Sequence, residues 1–150
     1  KLKLNFDRVE YKKLYDRHIF FFKNREIFKT EFTLYSFPTI GKRSIKEGIV
    51  IDSLDDIAAN KFFSLFDRNE IKDKIDLYFL FKNGFSIKKL RRITEKKFDF
   101  IIDAISTGNT LARCLKADFT AVKLIKPINK EEWEEIFTVQ IKSLIGNFLI

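Results

Sequence analysis

The start of a helix at Ser53 constrains the fold more than any other feature of the sequence. A Ser-Leu-Asp-Asp run places the Ser53 hydroxyl three residues before a carboxylate, the spacing of an N-terminal capping box. Apolar residues then recur at helical spacing as far as Arg68, and a second helical pattern ends at Asn83, before a glycine typical of a helix C-terminus. The sequence therefore predicts two consecutive helices within residues 53–82, with a break at residues 69–70.

The segment before Ser53 has the pattern of β-strands. Residues 18–22 and 27–35 are rich in aromatic and β-branched side chains, and the polar residues between them have the length of a hairpin connection. Alternation along the second strand places Lys29 and Glu31 on its polar face. We therefore expect an antiparallel hairpin that presents Glu31 among polar side chains.

The rest of the N-terminal third is less regular. Residues 1–6 alternate like an edge strand, and residues 45–51 predict one further short strand before the helices. Residues 7–17 are compatible with either a short helix or a loop.

Three more helices are predicted after residue 84. Ser86 begins a basic helix, and residues 98–116 contain a fourth helix, with an interruption at Thr107-Gly108 left open. Asn129 caps a final amphipathic helix over residues 130–150.

The order of the elements predicts an α+β fold, with antiparallel strands followed by a helical bundle. Residues 1–52 are mainly strands and residues 53–150 mainly helices. A chain of 150 residues with 45% hydrophobic side chains fits one domain that can build a core without disulfides or metals.

Charge and cysteine content limit the class of protein. The single cysteine, Cys114, excludes an intrachain disulfide and favours a reducing compartment, so the expected location is the cytoplasm. No run approaches the roughly 20 apolar residues that span a bilayer, and no membrane role is predicted. The net charge of +8 favours polyanionic partners such as RNA, DNA or nucleotides.

Four charged side chains in the two consecutive helices are candidates for a site. Lys61 and Arg68 are seven residues apart and share one helix face, while Asp73 and Asp76 are three apart on the next helix. Two cations could therefore face two carboxylates across the break. Spacing alone favours a structural salt-bridge cluster and leaves open a site in which the cations contact phosphate oxygens and the carboxylates orient them.

The residues around this cluster resemble a family signature. In order, the sequence contains Ser53-x-x-Asp56, Ala59-x-Lys61, Arg68 seven residues on, and Lys72-Asp73-x-x-Asp76-Leu77. This series resembles the signature of AbiEii-type nucleotidyltransferases over residues 50–78, and the order of strands before helices agrees with that family over most of the chain.

The resemblance implies a toxin-type enzyme of a toxin–antitoxin or phage-defence system. Such an enzyme has a polymerase-β-like core and transfers a nucleotide from an NTP to an RNA acceptor such as tRNA. By this resemblance Lys61, Asp73 and Asp76 are the catalytic candidates. Lys61 contacts the phosphates of the nucleotide, supported by Arg68, and Glu31 is the candidate metal-coordinating carboxylate. Mg²⁺, an NTP and a cognate antitoxin are the implied cofactors and partner.

Two motifs that nucleotidyl transfer requires are missing from this sequence. A Gly-Ser or Gly-Gly turn would present backbone N–H groups to the triphosphate, and an Asp-x-Asp pair would hold Mg²⁺. The 5 glycines are isolated from one another and from serine, and no Asp-x-Asp occurs. The family carries these motifs before its strands. We therefore expect either a piece of a longer protein, with strands that are the remnant of a polymerase-β-like sheet, or a degenerate member. In both cases the chain as it stands should be inactive.

A basic segment supports an alternative function. Lys88, Lys89, Arg91 and Arg92 form either a solvated helix face or a track for an RNA backbone. The chain could therefore be a non-catalytic module that binds RNA or a partner protein, or a structural remnant without activity. His18 is expected to have a structural role, as is Cys114.

Overall fold

The structure is a computed structural model that describes residues 6–68, 70–119 and 122–145. Its internal contacts divide the chain into two compact units, residues 1–37 and residues 38–150. Three parts of the sequence predictions lie outside the described residues: residues 1–5 of the edge strand, Asn69 in the break between helices, and residues 146–150 of the last helix. No helix of the described residues is long and apolar enough to cross a membrane.

The N-terminal unit is a three-stranded antiparallel sheet. Its strands are β1 (Arg8–Leu14), β2 (Arg17–Lys23) and β3 (Ile27–Thr33), in the order β1-β2-β3. The predicted hairpin of β2 and β3 is confirmed. Residues 8–14, for which a helix or a loop was expected, instead form β1. The Tyr11 and Phe20 rings contact each other across β1 and β2 at a centroid distance of 5.0 Å, and such aromatic cross-strand pairs stabilise a sheet.

The C-terminal unit begins with a hairpin. Strands β4 (Ser44–Lys46) and β5 (Ile49–Ile51) pair antiparallel, so the prediction of one continuous strand over residues 45–51 was wrong. Glu47 and Gly48 connect them with φ values of 52° and 80°, both in the left-handed region. Consecutive positive φ values are typical of tight hairpin turns, and glycine adopts them without steric cost.

Five helices follow in the described residues, and they confirm the predicted α+β class. They are α1 (Leu54–Asp67), α2 (Ile71–Lys82), α3 (Ile87–Phe98), α4 (Ala104–Leu115) and α5 (Lys130–Ile145). The predicted caps are present, since Ser53, Ser86 and Asn129 each accept a hydrogen bond from the backbone N–H three residues later. Helix α4 continues through Gly108 without interruption.

The core of the C-terminal unit lies between these helices. α1 packs against α2 and α3, and α5 packs against α4. Trp133 and Phe137 of α5 are fully buried, and the Trp133 indole donates a hydrogen bond of 2.8 Å to the Cys114 carbonyl. Both Trp133 and Cys114 are therefore packed core residues, and the structural role predicted for Cys114 is that of a core residue.

Candidate functional site

The four charged residues of the helix pair meet in one cluster. Lys61 Nζ on α1 lies 2.6 Å from Asp76 Oδ2 and 3.6 Å from Asp73 Oδ1, both on α2. Arg68, the C-cap residue of α1, donates from Nε and Nη2 to the two oxygens of Asp73 at 2.8 and 3.1 Å. The sequence spacing therefore does bring two cations against two carboxylates across the break.

Burial gives the members of this cluster different roles. The Asp73 side chain is 1% exposed, whereas those of Lys61 and Asp76 are 36% and 42% exposed. Asp73 is the acceptor that Lys61 and Arg68 share. The hydrogen bond from Arg68 to Asp73 raises the pKa of Arg68 above its usual value. The paired fork of Arg68 fixes Asp73, although the Arg68 side chain itself is 49% exposed. Lys61 is likewise accessible to solvent, and its ammonium group carries three hydrogen-bond donors.

A second network, centred on Asp56, holds the start of α1. The fully buried Asp56 carboxylate accepts from the Ile40 and Gly41 backbone N–H groups at 3.0 Å each, from the Ser53 hydroxyl at 2.6 Å and from Lys97 Nζ at 2.7 Å. Burial acts to raise the pKa of Asp56, but the hydrogen bonds from Lys97, Ser53 and the two amides outweigh it and hold the pKa well below its usual range.

Sequence reasoning did not find this network. The sequence identified Asp56 only as part of a capping box, and Lys97 was not among the candidate residues. Their separation of 41 residues gives no local signal, because they meet only when α3 packs on α1. The one available hint was a carboxylate three residues after Ser53, where glutamate or glutamine is more usual.

Apolar side chains line an open groove beside Lys61. The groove has a volume of about 280 Å³ and lies between α1 and α2. Its lining residues are Leu54, Ile57, Lys61, Asp76, Phe79, Leu80 and Asn83. Leu54, Ile57 and Phe79 belong to the apolar pattern of these helices, but they are 54%, 39% and 45% exposed. The groove is the second feature that periodicity alone did not reveal.

Glu31 lies in the N-terminal unit and is paired with cations. Its carboxylate is 2.9 Å from Lys29 Nζ and 3.4 Å from Arg17 Nη1, and the hydrogen bond from Lys29 lowers its pKa. The described residues contain no group of three or more metal-ligating side chains. Asp73 also has both oxygens bonded to Arg68. The described residues therefore do not by themselves fit a Mg²⁺ site, and the role of Glu31 as a metal ligand stays a prediction.

The basic residues of α3 differ in their exposure to solvent. Lys89 pairs with Asp55 at 2.7 Å, and Arg91 donates to the Ile102 carbonyl and lies 3.7 Å from Glu95. These two side chains are committed within the unit. Lys88 and Arg92 are exposed on the same face as Lys96, because the three are spaced four residues apart. The basic face open to solvent is thus narrower than the sequence suggested.

Comparison with known proteins supports the resemblance seen in the sequence. Residues 22–148 match the profile of a family described as the nucleotidyl transferase AbiEii toxin of type IV toxin–antitoxin systems. The match includes the Lys61 cluster, the Asp56 network and Glu31. Among curated protein sequences, none matches the chain significantly.

Two solved structures from Helicobacter pylori share the fold. The protein JHP933 gives a TM-score of 0.60 at 18% identity, over 95% of this chain and 65% of that one. A candidate nucleotidyltransferase of the same bacterium gives a TM-score of 0.55 at 19% identity, over 95% of this chain and 67% of that one. This chain therefore spans about two thirds of the length of these structures, and at such identity the likeness concerns the fold.

Proposed function

The chain belongs to the AbiEii family of nucleotidyl transferase toxins, and from that premise we propose that its α1–α2 pair binds the phosphates of a nucleoside triphosphate. The cluster of Lys61 with Asp73 and Asp76 carries this proposal. Lys61 is held at the helix pair by carboxylates but remains partly exposed, so it can donate to a phosphate oxygen while it keeps its contact with Asp76.

Each member of the cluster has a separate task in this proposal. Lys61 supplies the positive charge for the phosphates, and Asp76 orients its ammonium group at 2.6 Å. Arg68 and Asp73 join the end of α1 to α2, which fixes the position of Lys61 relative to α2. Mg²⁺ remains an implied cofactor, and no step is assigned to it, because the described residues do not form its site.

The proposed reaction of the whole protein is transfer of a nucleotide from an NTP to an RNA acceptor, with tRNA as the expected class. This chain lacks a Gly-Ser or Gly-Gly turn and an Asp-x-Asp pair. It therefore supplies a half-site and does not transfer a nucleotide by itself. The solvent-facing cations of α3, Arg92 and Lys96, are suited to contact the acceptor backbone. We also propose that the protein has a cognate antitoxin as its partner and is located in the cytoplasm.

A transfer assay tests the proposed reaction. Labelled NTPs and total tRNA are incubated with this chain, with the product of its entire reading frame, and with that product carrying Lys61→Ala. We expect no label on tRNA with this chain, transfer with the entire product, and a loss of roughly 100-fold in rate for Lys61→Ala, similar to the removal of one donor at a developing charge. Full activity of Lys61→Ala would exclude the role given to that residue.

The second candidate, a non-catalytic RNA-binding module, is favoured by the exposed face of α3. Its distinguishing result is tight binding of tRNA by a reading-frame product that transfers no nucleotide. That outcome would contradict the proposed nucleotidyl transfer and support binding of RNA through phosphate contacts alone.

A further inference from the structure

The groove beside Lys61 has a polar end and an apolar end. Because α1 and α2 are consecutive helices joined by a short break, the order of the lining residues along α1 is opposite to that along α2. Lys61 and Asp76 line the polar end of the groove. Ile57, Phe79 and Leu80 line its middle, and Leu54 and Asn83 line the far end. From Lys61 to Leu54 the rise along α1 is about 10 Å, which is comparable to the reach from a nucleobase to its phosphates.

The apolar walls are exposed although their helical periodicity matches a core face. Leu54, Ile57 and Phe79 together leave a concave apolar surface next to a cation. Concave apolar surfaces with a few polar groups are the usual form of small-molecule sites, and a volume of about 280 Å³ is near the lower end of their range. The volume is suited to one flat ring system.

Asn83 provides a polar group at the apolar end. Its Nδ2 donates to the Phe79 carbonyl at 2.7 Å, which holds the carboxamide at the C-cap of α2. Its Oδ1 makes no hydrogen bond to the residues that the structure describes, so it can accept from an N–H on the edge of a base.

We propose that this groove holds the nucleobase of the nucleotide whose phosphates contact Lys61, with the base packed against Ile57 and Phe79 and its edge at Asn83. The inference rests on the proposed function, since continuity with Lys61 identifies the occupant. The groove then supplies affinity through burial of the base, independently of the charge at Lys61.

The test compares binding of an NTP with binding of inorganic triphosphate, which has no base. Affinities are measured by titration calorimetry for the chain, for Lys61→Ala and for Ile57→Gln. Ile57→Gln should weaken NTP binding about fivefold or more, because it removes part of the apolar wall, and should leave inorganic triphosphate binding unchanged. Lys61→Ala should weaken both. Phe79→Ala is a second groove variant with the same expected pattern.

Ile105→Gln is the matched control for the groove variants. Ile105 is an exposed isoleucine on α4, outside the groove, and its substitution should change neither affinity. In parallel, methyl NMR spectra should show shifts at Leu54, Ile57 and Leu80 with the free nucleoside and none with inorganic triphosphate.

Two failures can be told apart. If Lys61→Ala weakens both ligands but NTP and inorganic triphosphate bind equally and Ile57→Gln has no effect, the groove inference is overturned and the phosphate site stands. If neither ligand binds, or Lys61→Ala changes nothing, the proposed function fails and the groove inference fails with it.

Discussion

At the scale of single residues, the buried pair of Asp56 and Lys97 couples the protonation of a carboxylate to folding. Both side chains are 0% exposed, and the low pKa of Asp56 shows that its charged form is favoured by its hydrogen-bond donors. A depressed carboxyl pKa stabilises the native state at pH values above the usual carboxyl pKa, and this contribution is lost as the pH falls through the native value. The pair therefore stabilises the protein at neutral pH and contributes to acid unfolding below about pH 4.

Substitution of this pair gives a direct prediction. Asp56→Asn removes the carboxylate that lies 2.7 Å from the buried Lys97 ammonium, and we expect a loss of about 3–5 kcal/mol in the free energy of unfolding, measured with urea at pH 7. The double variant Asp56→Asn/Lys97→Met should regain part of that loss, because it also removes the buried ammonium group. A loss for Asp56→Asn below about 1 kcal/mol, the range of exposed ion pairs, would contradict a buried and coupled pair.

Cys114 gives a second prediction at this scale. Burial raises the pKa of its thiol to about 12, so almost no thiolate exists near neutral pH. We expect negligible alkylation by iodoacetamide at pH 8 in the native protein and complete alkylation in urea. Rapid alkylation of the native protein would show that Cys114 is not the packed core residue described above.

At the scale of elements, the N-terminus of α1 is fixed by a close approach of the chain to its cap. A Cβ added at Gly41 would lie 2.2 Å from Ser53 Oγ, and the Gly41 N–H donates to Asp56. Only glycine fits between the cap and the loop before β4. Gly108 is the opposite case, since a Cβ in its helix meets nothing within 4 Å.

These two glycines form a matched pair for mutation. Gly41→Ala should lower the melting temperature, because the clash with Ser53 displaces the loop from Asp56. Gly108→Ala should raise the free energy of unfolding by up to about 1 kcal/mol, because alanine is the better helix former at an open position. Thermal unfolding of both variants measures the difference, and equal shifts for the two would contradict the close approach at Gly41.

The elements also show what sequence patterns can and cannot predict. The five helices followed from periodicity and caps such as Ser53 and Asn129, since both are local signals. The β4–β5 hairpin was missed because its two-residue turn at Glu47-Gly48 interrupts a run of only seven residues. The Lys61 cluster could be predicted because both helices follow one another. The Asp56–Lys97 pair and the apolar groove could not, since they depend on packing between helices.

At the scale of the whole molecule, charge and family membership point to the same kind of ligand. The net charge of +8 would attract both a nucleotide and an RNA acceptor. The structure reduces the number of cations on α3 that are available to RNA. Lys89, Arg91 and Lys97 already contact groups of the same unit. The polyanionic class of partner therefore stays a prediction from composition, while only the packed structure could indicate which cations are engaged.

The salt dependence of RNA binding tests this electrostatic account. The logarithm of the tRNA association constant should fall linearly with the logarithm of the salt concentration, because phosphate contacts release counterions. Arg92→Gln should reduce the slope by about 1 if Arg92 contacts one phosphate. Arg113→Gln, the same charge change at an exposed position on α4, is the control. A flat salt dependence, or equal slopes for all three proteins, would exclude an RNA contact at Arg92.

The central claim is that the helix pair binds nucleotide phosphates through Lys61, and a binding titration tests it most directly. A nucleoside triphosphate is titrated into the chain and into two variants with the same loss of charge, Lys61→Ala and Lys142→Ala, the latter at an exposed position on α5. Loss of a charge-assisted contact predicts about tenfold or greater weakening for Lys61→Ala and unchanged affinity for Lys142→Ala. Equal affinities in all three proteins, or no binding by any of them, would contradict the claim.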